Sequence, residues 1–157
     1  MANRPPSHYL DIGVAGEDLV AQWLQSQEWL ILHRRWRCRC GEIDIIAEYG
    51  KNNPIIAFVE VKTRTPGSWD AGGRSAIAQK KQTKLWRTGQ VFLTRYPQKA
   101  DFTCRFDAAI VLAQRISQRL TAGYSKQESL AFSSAGGYRL TLEEYIPAAF
   151  DCNNFNS

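Results

Sequence analysis

Between Trp29 and Arg64 the chain sets apolar residues beside charged ones at a spacing of two, the period of a β-strand. "WLILHRRW", residues 29–36, predicts a first strand and "EIDIIAEY", residues 42–49, a second. The second carries Glu42, Asp44 and Glu48 on one face and Ile43, Ile45 and Ala47 on the other. "GKNNP", Gly50 to Pro54, is dense turn chemistry, so the second strand and the third, "IIAFVEVKT", form a hairpin. The third begins as a buried strand and then places Glu60, Lys62 and Arg64 on a single face.

Elsewhere the period changes to that of a helix. From about Asp11 to Gln27, Val20, Ala21, Trp23 and Leu24 make an apolar stripe, and Glu17 lies on it. A carboxylate on a buried face is an anomaly that suggests either chemistry or a first-turn capping role. A second helix is expected from about Arg74 to Arg95, with the stripe Ile77, Lys81, Leu85, Gly89 and Phe92. Lys81 sits inside that row, whereas Lys80 and Lys84 flank it. "FTCRFDAAIVLA", residues 102–113, is a further strand, and "YRLTLEEYIPAAF" closes the chain. The polar stretch 114–137 between them reads as a long loop or insertion. Residues 1–10 and 151–157 read as tails, leaving one domain over 11–150. The order is αβββαβ, an α/β fold with helices packed on a mixed sheet.

Composition narrows the class. The 157 residues are 44% apolar and 22% charged, an ordinary globular balance. No run approaches the ~20 apolar residues of a membrane helix, and the N-terminus has no apolar signal core, which points to the cytoplasm. Four cysteines are too few and too scattered for a disulfide framework. Cys38-Arg-Cys40 lacks the second pair that a zinc site needs, so reduced thiols are expected. The formal charge is +5 and the pI about 9.2, which favours polyanionic partners. In "HRRWRCR", Arg35 and Arg37 flank Trp36, a pattern suited to phosphate contact and stacking as well as to a solvated cationic face.

Pairing the second and third strands brings Asp44 to Glu60 and Lys62, with Glu17 facing inward from the first helix. Three carboxylates and a lysine crowding one spot repel unless a cation joins them. Mg²⁺ or Mn²⁺ suits oxygen ligands and bridges to phosphate, so Asp44, Glu60 and Glu17 are candidate metal ligands. A metal-bound water, with Lys62 stabilising charge on a scissile phosphate, is a plan for phosphodiester hydrolysis. A row of solvent-facing charges on an open sheet would show the same alternation.

An aspartate followed on the next strand by ExK resembles the PD-(D/E)xK nuclease superfamily. More narrowly, "AGEDLVAQWL", "GEIDIIAEY", "IIAFVEVKTRT", "KKQTKL" and "CRFDAAIV" resemble the YraN family of uncharacterised bacterial proteins, which is similar to the archaeal Holliday-junction resolvases. The resemblance spans about Gly13 to Val111 and implies a restriction-endonuclease-like fold. It implies catalytic roles for Asp44, Glu60, Lys62 and Glu17. Gly41, Glu42, Arg64, Lys81, Arg105 and Asp107 match further family positions. Arg64 is expected on phosphate, Lys81 aimed at the site from the second helix, and Asp107 in a salt bridge with Arg105 or Arg64. Ile43 stands where the superfamily has proline.

The expected function is therefore a Mg²⁺-dependent endonuclease acting on DNA, branched or repair intermediates included. A non-catalytic nucleic-acid-binding module of the same fold is the alternative, and a protein-binding surface with purely structural charges is a third. Cutting a four-way junction calls for two active sites and hence a two-fold homodimer. Trp69, Trp86 and Phe92 are apolar candidates for that interface.

Overall fold

The computed structural model describes residues 11–67, 79–116 and 129–150. The expected tails, Trp69 and the start of the second helix lie outside these. The first helix, α1 (Ile12–Ser26), starts at Asp11, whose Oδ1 accepts from the N–H groups of Gly13 at 2.9 Å and Val14 at 3.2 Å. Such a cap is worth about 1 kcal/mol. The capping role open to Glu17 thus belongs to Asp11. Gly16, Leu19, Val20, Ala21 and Leu24 form the buried face of α1.

Three strands follow: β1 (Leu30–Cys38), β2 (Gly41–Tyr49) and β3 (Ile55–Arg64). They pair antiparallel in sequence, and the expected β2–β3 hairpin is present with Ile45 opposite Val59 and Tyr49 opposite Ile55. Helix α2 (Gln79–Arg95) and a short 3₁₀ turn (Pro97–Lys99) then cross the sheet. This crossover lets β4 (Thr103–Arg115) lie parallel to β3, with Glu60 beside Ala108 and Arg64 beside Leu112. Strands β5 (Ala131–Ala135) and β6 (Tyr138–Phe150) complete a six-stranded mixed sheet in the order β1-β2-β3-β4-β6-β5. The architecture is α/β and restriction-endonuclease-like.

Both sheet faces are packed. Leu19, Val20 and Leu24 of α1 bury Ile45, Ala47, Val59, Val111 and Leu142 on one side. Leu85 and Phe92 of α2 bury Ile46, Ile56, Phe58 and Phe106 on the other. Ile43 joins this second cluster although its parity matches Ile45, so the simple alternation expected of β2 breaks at Asp44.

Two expectations are corrected. Phe92 is 0% exposed at the centre of the α2 cluster and is not available to a dimer interface. Its ring meets His33, Trp36, Phe58 and Tyr96, an aromatic cluster that holds α2 on the sheet. Trp86 is half-buried against the same cluster. The stretch 114–137 is not one loop: β4 runs on to Arg115, and β5 pairs with β6 through a hairpin at Gly136 and Gly137. Both glycines have positive φ, 55° and 79°, which a tight hairpin turn demands. The polar composition of "AFSSAGGYRL" masked this turn signal. No helix among the described residues is long and apolar enough to cross a membrane.

Candidate active site

A cleft of about 460 Å³ opens where β1, β2 and β3 meet the first turns of both helices. Its walls include Glu17, Arg35, Arg37, Asp44, Glu60 and Lys81. Six of the eight residues singled out for chemistry therefore share one depression. They come from five elements, α1, β1, β2, β3 and α2, and from positions as far apart in sequence as 17 and 81.

Asp44 lies at its centre. The β2–β3 register that sets Ile45 opposite Val59 carries Asp44 alongside Glu60. One oxygen of Asp44, Oδ2, accepts from the backbone N–H of Val61 at 2.8 Å, which fixes the carboxyl plane. Burial, then the negative charge of Glu60, push its pKa up to about 7, against the Val61 N–H and the Lys81 ammonium. Glu60 is 6% exposed, an expensive place for a charge, and Lys81 forms an ion pair with its Oε1. Lys81 thus reaches the site from α2 as its place in the apolar row predicts.

Glu17 faces the same cleft, and Asp44 is close enough to raise its pKa alongside burial, the larger cause. Its Oε2, however, is held by Arg35 Nε at 2.8 Å, with Arg34 at 3.9 Å. Arg35 has a φ of 52°, left-handed backbone that a bulky residue rarely adopts. Arg37 Nε pairs with Glu42 Oε2 at 3.0 Å on the opposite lip. Two of the three arginines expected on nucleic acid, Arg35 and Arg37, are therefore at the cleft, each already neutralising an acid.

Lys62 and Arg64 follow Glu60 on the same face of β3, beside Ile110 and Leu112, and both are half-buried. Neither belongs to the cleft wall, which ends at Glu60 on this strand. Lys84 and Asp11 do belong to it and were not singled out. The signal for Lys84 was its position three residues after Lys81, which places both on one helix face. Gly41 also lines the cleft. A Cβ there would stand 3.1 Å from Thr88 Oγ1, so glycine lets the β1–β2 turn close onto α2.

Asp107 is elsewhere. It pairs in register with Val59, on the α1 side of the sheet, and is 0% exposed. Arg105 Nε donates to its Oδ2 at 3.2 Å and lies 3.0 Å from its Oδ1; Ala148 N–H donates to Oδ1 at 2.9 Å and the Tyr145 hydroxyl to Oδ2 at 2.5 Å. Burial and this carboxylate raise the Tyr145 pKa well above its ordinary value. Asp107 is the salt-bridge partner of Arg105 and a structural clamp on β6.

The donor set fits a hard divalent cation. Asp44 and Glu60 offer adjacent carboxylate oxygens whose mutual repulsion such an ion would relieve. Among the described residues no three Asp, Glu, His or Cys side chains form a ready-made cage. Magnesium is typically held by one or two carboxylates together with water and substrate phosphate, so two are sufficient.

Comparison with known proteins places the chain. The model of "Uncharacterised protein family UPF0102" matches residues 16–111, which hold every residue of the cleft except Asp11. A UPF0102 protein of Trichormus variabilis is 57% identical over 92% of this chain and 97% of its own length. One from Nostoc is 56% identical over 92% and 96%. One from Synechocystis is 43% identical over 89% and 97%. The chain belongs to the UPF0102 family, the YraN family whose motifs its strands carry.

Proposed function

We propose that this protein is a divalent-metal-dependent endonuclease that hydrolyses phosphodiester bonds in DNA. The observation that supports the reading best is the meeting of Asp44 and Glu60. Two carboxyls buried against each other, one with its pKa raised to about 7, are costly for a structure that has no use for them. Asp44 and Glu60 would hold Mg²⁺ or Mn²⁺, with Glu17 reaching its water shell. When bound, such an ion lowers the pKa of a coordinated water and polarises a phosphoryl oxygen.

The chain's own residues supply the rest. The Val61 N–H keeps Asp44 Oδ2 in a fixed direction, which preorganises the carboxylate. Lys62, on the same strand face as Glu60, offers an ammonium for the charge that builds on the scissile phosphate. Arg35, Arg37, Lys81 and Lys84 line the cleft beside its acids and offer cations to a DNA backbone. A phosphate entering it exchanges with Glu17, Glu42 and Glu60 for their cations, an exchange of one anion for another. Branched DNA as substrate, and a two-fold homodimer to cut both arms, belong to the same proposal.

One observation favours a binding module without turnover: Arg35 engages Glu17, so only two acids meet directly. The test is cleavage of labelled four-way, flap and linear DNA with Mg²⁺ or Mn²⁺, beside Asp44→Ala and Lys62→Ala. Metal-dependent cutting that vanishes in both variants establishes the nuclease and its preferred shape. Folded protein that binds DNA with a steep salt dependence but never cuts establishes the binding module.

A further inference from the structure

The β1–β2 hairpin closes with Cys38 opposite Gly41, so Arg39 and Cys40 are its two-residue loop. This puts two thiols at positions i and i+2 of one tight turn, where α-carbons fall within the few ångströms a disulfide spans. Cys40 donates its backbone N–H to Cys38 Sγ at 3.3 Å, so the turn already brings its second cysteine to the sulfur of the first. Both cysteines are partly exposed and uncrosslinked. Cys104 differs: it stands on β4, remote in sequence, and its thiol donates to the Phe102 carbonyl at 3.4 Å.

We propose that Cys38 and Cys40 are a redox-active dithiol that closes to an intramolecular disulfide at the hairpin tip, with low-molecular-weight disulfides as its oxidant. Cys38 is the attacking group. Burial works against its ionisation, but the backbone N–H groups of Cys40 and Gly41, with the Thr88 hydroxyl and the Cys40 thiol, together outweigh this, and its pKa lies below the ordinary thiol value. The Cys38 thiolate attacks one sulfur of a disulfide RSSR, forming Cys38–S–S–R and expelling RS⁻, which takes up a proton. The Cys40 thiolate then attacks the Cys38 sulfur, forming the Cys38–Cys40 bond and expelling the second RS⁻. Two protein thiols are oxidised and one RSSR becomes two RSH.

The site has a route to the cleft. Gly41 is part of the cleft wall, and Arg37 and Glu42, the next pair down the hairpin, form its outer lip. The disulfide would form at a turn whose Gly41 borders the cleft, beside the present contact of the Cys38 sulfur with the Cys40 N–H. The chemistry itself does not depend on what the cleft binds.

The experiment uses the whole chain, incubated with mixtures of oxidised and reduced glutathione near pH 7.5, acid-quenched and mapped with trypsin. Cleavage after Arg37, Arg39 and Lys51 separates Cys38 from Cys40, so a bond between them joins the dipeptide 38–39 to peptide 40–51. That linked pair, reversed by excess reduced glutathione, is the expected result. Cys40→Ser should halt at a Cys38–glutathione adduct, and iodoacetamide should label Cys38 roughly 10-fold faster than Cys104. Both thiols remaining free, stable glutathione adducts on the unaltered chain, or links only between molecules would overturn the proposal.

Discussion

Asp44 and Glu60 stand side by side across the β2–β3 hairpin, and the charge of Glu60 adds to burial in raising the Asp44 pKa. Two buried carboxylates this close repel when both are ionised, so the pair tends to hold a proton near neutral pH. The folded pKa of Asp44, about 7, is above its ordinary 3.8. Its contribution to stability is therefore fully present below about pH 3.8 and is lost as the pH rises through 7. By linkage the loss is at most about 4 kcal/mol. Asp44→Asn keeps an acceptor for the Val61 N–H and removes the titration. Thermal melts should show the variant more stable than the parent by roughly 5 °C or more at pH 8, with little difference at pH 4. Equal melting temperatures at both values would contradict the crowded pair.

The same pair sets how metal binding responds to pH. A divalent ion must displace that proton, so its affinity for the proposed site should fall about tenfold for each pH unit below 7. Titration calorimetry with Mn²⁺ at pH 8 and pH 6 measures this directly. Asp44→Ala should abolish the heat at both. Binding that ignores pH, or survives this substitution, would place the ion elsewhere.

The sequence made the acids legible because strand parity is a strong constraint: once "GEIDII" and "FVEVK" are hairpin partners, Asp44 and Glu60 must be neighbours. Lys81 was legible because a cation in the row of Leu85 and Phe92 has to leave the core, and Glu60 is where it leaves. The partner of Glu17 was not legible. It depends on the positive φ of Arg35 and on the register shift between Ile31 and His33, which tertiary packing imposes on β1. Strand β5 was hidden for a different reason. Its five residues alternate exposed and half-buried on an edge, so no apolar run announces them.

Asp107 tests the separation of structure from chemistry. Its carboxylate is fully buried with three partners, so Asp107→Ala strands the Arg105 charge and orphans the Tyr145 hydroxyl and the Ala148 N–H. Arg105 keeps partial access to water, so the loss comes mainly from the buried Tyr145 hydroxyl and Ala148 N–H left without a partner, about 1–3 kcal/mol. Urea unfolding should show a loss of that order. Asp107→Asn should lose less and should leave Mn²⁺ binding within about twofold of the parent, since sites that share no partners are close to additive. A large loss of metal affinity in a folded Asp107→Asn protein would give Asp107 a role at the cleft.

The docking of α1, and with it Glu17, rests on the contact of Gly16 with Thr63. A Cβ at residue 16 would come within 3.3 Å of the Thr63 Cβ and far closer to its Oγ1, so the helix lies directly on β3 at this point. Gly16→Ala should force the two apart and cost about 1–3 kcal/mol by overpacking, despite alanine's better helix propensity. Thr63 sharpens the test, because its buried Oγ1 has no hydrogen-bond partner among the described residues. Thr63→Val keeps the shape and removes that orphaned hydroxyl, so it should stabilise by about 1 kcal/mol. If Gly16→Ala proves neutral in chemical denaturation, α1 does not sit hard against β3. Glu17 would then owe its place to Arg35 alone.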